Sequence, residues 1–176
     1  SYVFESALTE GTRSIVVEAM DEAGNRANSS VLTLHVDSIS PVSVITSPSA
    51  GNTTDSTPTI VFNLTDNIDL NINYSVIVDG SVTNYSSAVN GTAVSLTLPT
   101  QTDGTYSIVV EALDNASNRV NSSVLYLTVD TIAPWSNLSA PANGTTVTDN
   151  SVSQFCVNAT DNIDKVLDYS LYLIVL

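Results

Sequence analysis

Residues 11–37 read GTRSIVVEAMDEAGNRANSSVLTLHVD, and residues 104–130 read GTYSIVVEALDNASNRVNSSVLYLTVD. Twenty of the 27 positions are identical at an offset of 93. Two flanking pairs extend the match. VDSISP at 36–41 returns as VDTIAP at 129–134, and TDNID at 65–69 returns at 160–164, now at an offset of 95 because two residues enter the loop between. Self-similarity at a fixed period marks a repeat protein; this unit is too long for a helical solenoid repeat and the right size for a two-sheet sandwich. The chain therefore divides into the C-terminal half of one repeat (1–37), a complete repeat (38–130) and the N-terminal half of a third (131–176).

Within the complete repeat, apolar side chains alternate, which assigns strands and faces. Residues 42–46 read as the first strand. Ile60, Phe62 and Leu64 share an inward face, with Val61 and Asn63 opposite. Tyr74, Val76 and Val78 point inward and run into Asp79-Gly80, a hairpin turn signal. Further inward rows are Val94, Leu96 and Leu98; Tyr106, Ile108, Val110 and Ala112; and Leu125, Leu127 and Val129. Six to seven short strands predict an all-β sandwich with no helix longer than about one turn. Asp103-Gly104-Thr105-Tyr106 resembles the tyrosine corner of such sandwiches, whereas the other copy carries Arg13 in place of the tyrosine.

Composition agrees. Ser and Thr fill 46 of 176 positions, Asp thirteen and Glu five, a mixture that competes with helical hydrogen bonds and favours strands and turns. The net charge of −14 repels nucleic acid and anionic lipid, which bind through Lys and Arg. A single Cys cannot form an internal disulfide, and no apolar run approaches the 18 or so residues of a membrane span. With neither a start Met nor a signal peptide, Ser1 reads as the edge of a processed chain or segment.

VEALDNASNRVNSS followed by LYLTVDTIAP, with VEAMDEAGNRANSS in the other copy, resembles the Ig-like repeats of bacterial and archaeal cell-surface proteins. Those families carry a D-x-A-G-N turn before the last strand and a V-D-x-x-A-P linker into the next domain; Asp21 to Asn25 is the cleaner turn here. The resemblance implies immunoglobulin-like β-sandwiches in tandem, an extracellular or cell-surface location, adhesin, surface-layer or filament arrays, and no catalytic chemistry.

Eleven of the 17 Asn residues lie in N-x-S/T sequons: Asn28, Asn52, Asn63, Asn73, Asn84, Asn90, Asn115, Asn121, Asn137, Asn143 and Asn158. With Ser and Thr at 46 of 176 positions, chance would give roughly four. N-linked glycans are the expectation, with Asn63, Asn73, Asn90, Asn121 and Asn158 exposed; the alternative is that a Ser-, Thr- and Asn-rich β protein makes sequons by composition. Plain N-x-S/T usage in an array of this type points towards archaea by resemblance.

In Ig-like sandwiches, the loop between the second and third strands and the last hairpin loop lie where the chain enters. By that resemblance Asp37 arrives beside Asp66, Asp69, Asp114 and Asn118, and Asp130 beside Asp161 and Asp164. Clustered carboxylates repel unless a cation joins them, and Ca²⁺ accepts such oxygens. Similar adhesin repeats stiffen their junctions with calcium. The competing reading is that Asp and Asn are turn formers and caps. The spacing is not that of an EF-hand.

Other reactive residues carry little. His35, the only histidine, aligns with Thr128 on an outward face, so no serine triad can be assembled. Cys156 is either a small apolar residue covered by a neighbour or an exposed thiol for intermolecular pairing. Lys165 is the only lysine, which excludes an isopeptide cross-link in every repeat. Trp135, Tyr85, Tyr126 and Tyr172 can stack on sugars but are scattered over different elements.

The leading expectation is a structural, glycosylated, extracellular assembly whose partners are copies of itself, head-to-tail or lateral, with no nucleic acid and no direct membrane insertion. An adhesin or carbohydrate-binding module, or an accessory domain of a larger secreted protein, is the alternative. Position 176 aligns with Ser81 and position 1 with Val94, so the two partial repeats add up to one sandwich lacking only a stretch matching 82–93. Where the complete repeat turns at Asp79-Gly80, the last copy runs on as SLYLIVL. Two readings follow: complementation between subunits by strand addition, or a window from a longer covalent array.

Overall fold

A computed structural model describes residues 7–146, 154–172 and 174; Leu173, Val175 and Leu176 of the apolar run lie outside them. In chain order the strands are β1 (Gly11–Ile15), β2 (Glu18–Met20), β3 (Arg26–Asn28), β4 (Leu32–Val36), β5 (Val42–Ser47), β6 (Gly51–Thr53), β7 (Thr59–Thr65), β8 (Asn71–Val78), β9 (Ser81–Val89), β10 (Val94–Thr97), β11 (Gly104–Leu113), β12 (Arg119–Asn121), β13 (Leu125–Val129), β14 (Trp135–Ala140) and β15 (Cys156–Thr160). No helix occurs among the described residues. In the complete repeat one sheet has the order β10-β7-β5, and the other runs β6-β13-β11-β8-β9 with β12 on β11.

The chain packs as two compact units: Ser1–Ser49 with Thr59–Leu96 and Ser107–Leu125, and Ala50–Pro58 with Thr97–Tyr106 and Tyr126–Leu176. In the first unit the alternating rows bury as the pattern requires. Ile60, Phe62 and Leu64 of β7, Ile72, Tyr74, Val76 and Val78 of β8, and Ile108, Val110 and Ala112 of β11 are buried. Phe62 meets Tyr74 edge to face, ring centroids 5.0 Å apart. Full burial of each Val, Leu, Ile or Phe side chain contributes about 1.5–3 kcal/mol. Ser43 is also buried, and its hydroxyl donates to the Val110 carbonyl at 2.9 Å across the core. The turn after β8 is a two-residue hairpin with positive φ at both Asp79 and Gly80, and Val78 pairs with Ser81. The Asp79 carboxylate accepts from the Ser107 amide at 2.8 Å.

In the second unit, Leu98, Leu127 and Val129 are buried, and β6 lies parallel to β13 with Gly51 opposite Leu127. Tyr106 forms the expected corner: its hydroxyl donates to the Thr102 carbonyl at 2.8 Å. In the partial repeat of the first unit, Arg13 replaces that tyrosine but keeps the bond, its Nε donating to the Thr9 carbonyl at 3.0 Å. The corner is therefore preserved by a different donor.

Two expectations need correction. Leu96 is half-buried rather than buried. The complete repeat has more strands than the six to seven expected, because nine-residue β9 is mostly Ser, Thr, Asn and Tyr, and its Val82, Ala88 and Val89 form no alternating row. Of the two readings of Cys156, the structure shows the exposed thiol.

Candidate metal centres at the repeat junctions

Each junction is built from a linker and the TDNID loop, joined at the first junction by the β11–β12 turn. The TDNID loop folds around its first carboxylate: Asp66 Oδ1 accepts from the amides of Ile68 and Asp69, both at 2.8 Å. Asp161 Oδ1 does the same for Ile163 and Asp164, at 2.8 and 2.9 Å. These bonds hold the Asp161 carboxyl below its ordinary range, the Asp164 amide contributing most. The loop thus aims its last aspartate, Asp69 or Asp164, at the linker. The β11–β12 turn aims Asp114 through bonds to Asn118, whose amide and Nδ2 donate to it at 2.7 Å each.

Asp37, Asp69 and Asp114 converge, each with an oxygen within 4.8 Å of the others, and Asp130, Asp161 and Asp164 do likewise. Asp66 lies outside the first carboxylate trio, and Asn118 is bonded to two of its members. Asp66 braces its loop, while Asn118 is a scaffold whose Nδ2 donates to Asp114 and, at 3.3 Å, to the Asp37 carbonyl. Buried oxygens Asp37 Oδ2 and Asp66 Oδ2 have no hydrogen-bond partner. Burial pushes the Asp37 carboxyl above its ordinary range, and the neighbouring Asp114, Asp66 and Asp69 push the same way against a bond from the Ile39 amide. A cavity of about 360 Å³ lined by His35, Asp37, Ile68, Asp69, Asn115 and Ala116 adjoins the first trio. An all-oxygen, all-carboxylate donor set with orphaned buried oxygens fits a hard divalent cation such as Ca²⁺.

A second acidic feature of each junction escaped the sequence reading. Glu10 accepts from the amide and hydroxyl of Ser38, and Asp103 accepts from the amide and hydroxyl of Thr131 at 3.0 and 2.7 Å. Asp103 Oδ2 also accepts from Asn162 Nδ2 at 2.8 Å. The signal was present: an acid immediately precedes Gly11 and Gly104 at the repeat offset.

His35 is exposed, with Nδ1 3.1 Å from Thr12 Oγ1. In the next repeat Thr105 and Thr128 make the same cross-strand pair at 2.8 Å, so the position is a strand contact. Of the sequons, Asn28, Asn52, Asn115, Asn121, Asn137, Asn143 and Asn158 are exposed, whereas Asn63, Asn73 and Asn90, expected exposed, are half-buried, as is Asn84. Asn90 Nδ2 donates to the carbonyls of Asp66 and Asp69, both at 2.7 Å. A glycan there would replace one of those two hydrogens. Asn28-Ser29-Ser30 and Asn121-Ser122-Ser123 recur for another reason as well: the hydroxyls of Ser29 and Ser122 accept from the amides of Val17 and Val110, both at 3.0 Å.

Residues 46–131 match the family model described as bacterial Ig-like domain. Among solved structures, the chain is similar to the fibronectin(III)-like modules of Clostridium thermocellum CbhA, with 18% identity and a TM-score of 0.43. That similarity covers 69% of this chain and 64% of that one. No curated protein matches the chain. Bacterial Ig-like domains are typically non-catalytic structural modules and are common in extracellular or surface proteins.

Proposed function

We propose that the chain, whose residues 46–131 match the bacterial Ig-like domain model, is a structural segment of an extracellular, glycosylated assembly (a filament, stalk or surface layer) in which Ca²⁺ ties successive repeats together. The carrying observation is the recurrence of a converging carboxylate trio where each linker enters a repeat: Asp37, Asp69 and Asp114, then Asp130, Asp161 and Asp164. A cation at each trio would cancel the repulsion among the carboxylates and fix the linker against the loops of the following repeat. Copies of the chain, head-to-tail or lateral, are the partners this reading implies. Glycans on the exposed sequons would cover the surface between them.

Calorimetric titration and thermal unfolding test the metal. Ca²⁺ bound only by the folded state raises stability by about 2.7 kcal/mol at a hundredfold excess over its dissociation constant. Chelation should lower the melting temperature of the native sequence. Asp37→Asn should instead raise stability without Ca²⁺, by removing a half-buried charge that faces other carboxylates, and blunt the response to added Ca²⁺. No heat of binding, together with a melting temperature indifferent to chelator, would sink the calcium reading.

A further inference from the structure

Two Asn-Gly-Thr triplets, at 90–92 and 143–145, carry the same chemistry in different surroundings. Both sit in the same local turn. The Thr92 amide donates to the Val89 carbonyl at 3.0 Å and the Thr145 amide to the Ala142 carbonyl at 3.1 Å. Gly91 and Gly144 have φ of 75° and 81°. In each turn Asn is the second residue and Gly the third, the position that takes positive φ.

An asparagine followed by glycine is open to one intramolecular reaction. The glycine amide nitrogen attacks the asparagine Cγ, the Cγ–Nδ2 bond breaks, and Nδ2 leaves as ammonia, closing a five-membered succinimide. Water then opens the ring at either carbonyl, giving aspartate or, where the main chain is rerouted through the side chain, isoaspartate. One water is consumed and one ammonia released. Glycine favours the attack because it has no Cβ to crowd the nitrogen and leaves the backbone free to rotate.

At Asn90 tertiary hydrogen bonds tie both reacting nitrogens. The nucleophile, the Gly91 amide, donates to the Leu64 carbonyl at 2.8 Å. The leaving group, Asn90 Nδ2, donates to the carbonyls of Asp66 and Asp69, and Asn90 Oδ1 accepts from the Asp66 amide at 3.2 Å. Asn143 and Gly144 are exposed. Among the described residues no hydrogen bond holds the Asn143 carboxamide or the Gly144 amide, and the turn is closed only from Thr145, whose amide and hydroxyl donate to the Ala142 carbonyl.

We propose that Asn143 is a deamidation site and that tertiary hydrogen bonds protect Asn90 from the same reaction. The product at 143 carries one more negative charge and is no longer a sequon, since glycan transfer needs the Nδ2 that the reaction expels. A glycan and a succinimide therefore compete for one nitrogen at Asn143. At Asn90 the same change would set a carboxylate against the Asp66 and Asp69 carbonyls and release the TDNID loop. The fold shields the asparagine it depends on and leaves the other open.

Unglycosylated chain of the native sequence, incubated in mildly alkaline buffer and followed by peptide mass mapping, tests this. The Asn143 peptide should convert to a mixture of aspartate and isoaspartate forms. Reaction at Asn90 requires opening the three bonds made by its Nδ2 and the Gly91 amide, so it should run roughly a hundredfold more slowly. Hydroxylamine, which cleaves the chain at a succinimide, should cut after Asn143 and spare Asn90. In denaturant, where only the matching triplets remain, the two rates should come together. Equal rates in the folded chain, or an Asn143 that persists there unchanged, would overturn the proposal. So would a gap that survives in denaturant, because flanking sequence rather than the fold would then set it.

Discussion

Asp103 shows how one side chain fixes a junction without any ion. Its carboxylate receives the Thr131 hydroxyl, the Thr131 amide and the Asn162 amide group. These donors, the Thr131 hydroxyl foremost, hold its pKa below the ordinary value. Because the folded pKa is the lower one, the stability it contributes is present above the ordinary Asp value of about 3.9 and is lost as pH falls through the folded value. The stability gap between the native sequence and Asp103→Asn should therefore narrow as pH drops below about 4, measured by thermal unfolding across an acid series. A gap independent of pH would contradict this role. Asp37 runs the other way: its pKa is raised, so the cost of its charge is present above the folded value and is relieved on acidification.

Among the elements, the β8–β9 hairpin depends most on one residue type. Asp79 and Gly80 have φ of 48° and 78°, a pair of left-handed conformations that matches the twist of the flanking strands. A β-branched residue at the second position meets its own carbonyl oxygen, so Gly80→Val should cost about 1–2 kcal/mol. Chemical denaturation should show that loss without a change in m-value, and a neutral substitution would mean that the turn had changed type. The hairpin also explains why β9 was hidden from a reading based on apolar rows. Its partner β8 carries the buried side chains, while β9 needs only backbone pairing along an edge. A polar strand at an edge leaves no period-2 hydrophobic trace.

For the whole molecule, the uneven burial of the sequons predicts which of them can carry sugar. Glycopeptide mapping of material from its native source should find occupancy among Asn28, Asn52, Asn121, Asn137, Asn143 and Asn158, and none at Asn84 or Asn90. A glycan on Asn90 would show that the TDNID loop is held differently from the arrangement seen here. The amino-acid sequence by itself determined the period, the all-β class and the inward rows, because burial of alternate side chains is written locally, two residues at a time, and then repeated at 93. It also marked most of the junction aspartates, once a sandwich was assumed. Only the tertiary structure decided which of them meet. Asp69 and Asp114 come from separate loops, and the sequence gives no sign that Asp66 would turn inward to brace its own loop while its neighbour faces the linker. Nor could the pattern show that Asn90 spends both amide hydrogens on that loop, or that Arg13 reaches the carbonyl a tyrosine reaches in the next repeat. Side-chain periodicity records the face a residue occupies; which loops meet, and which donor reaches which acceptor, follows from how the closed sandwich brings distant turns to one end.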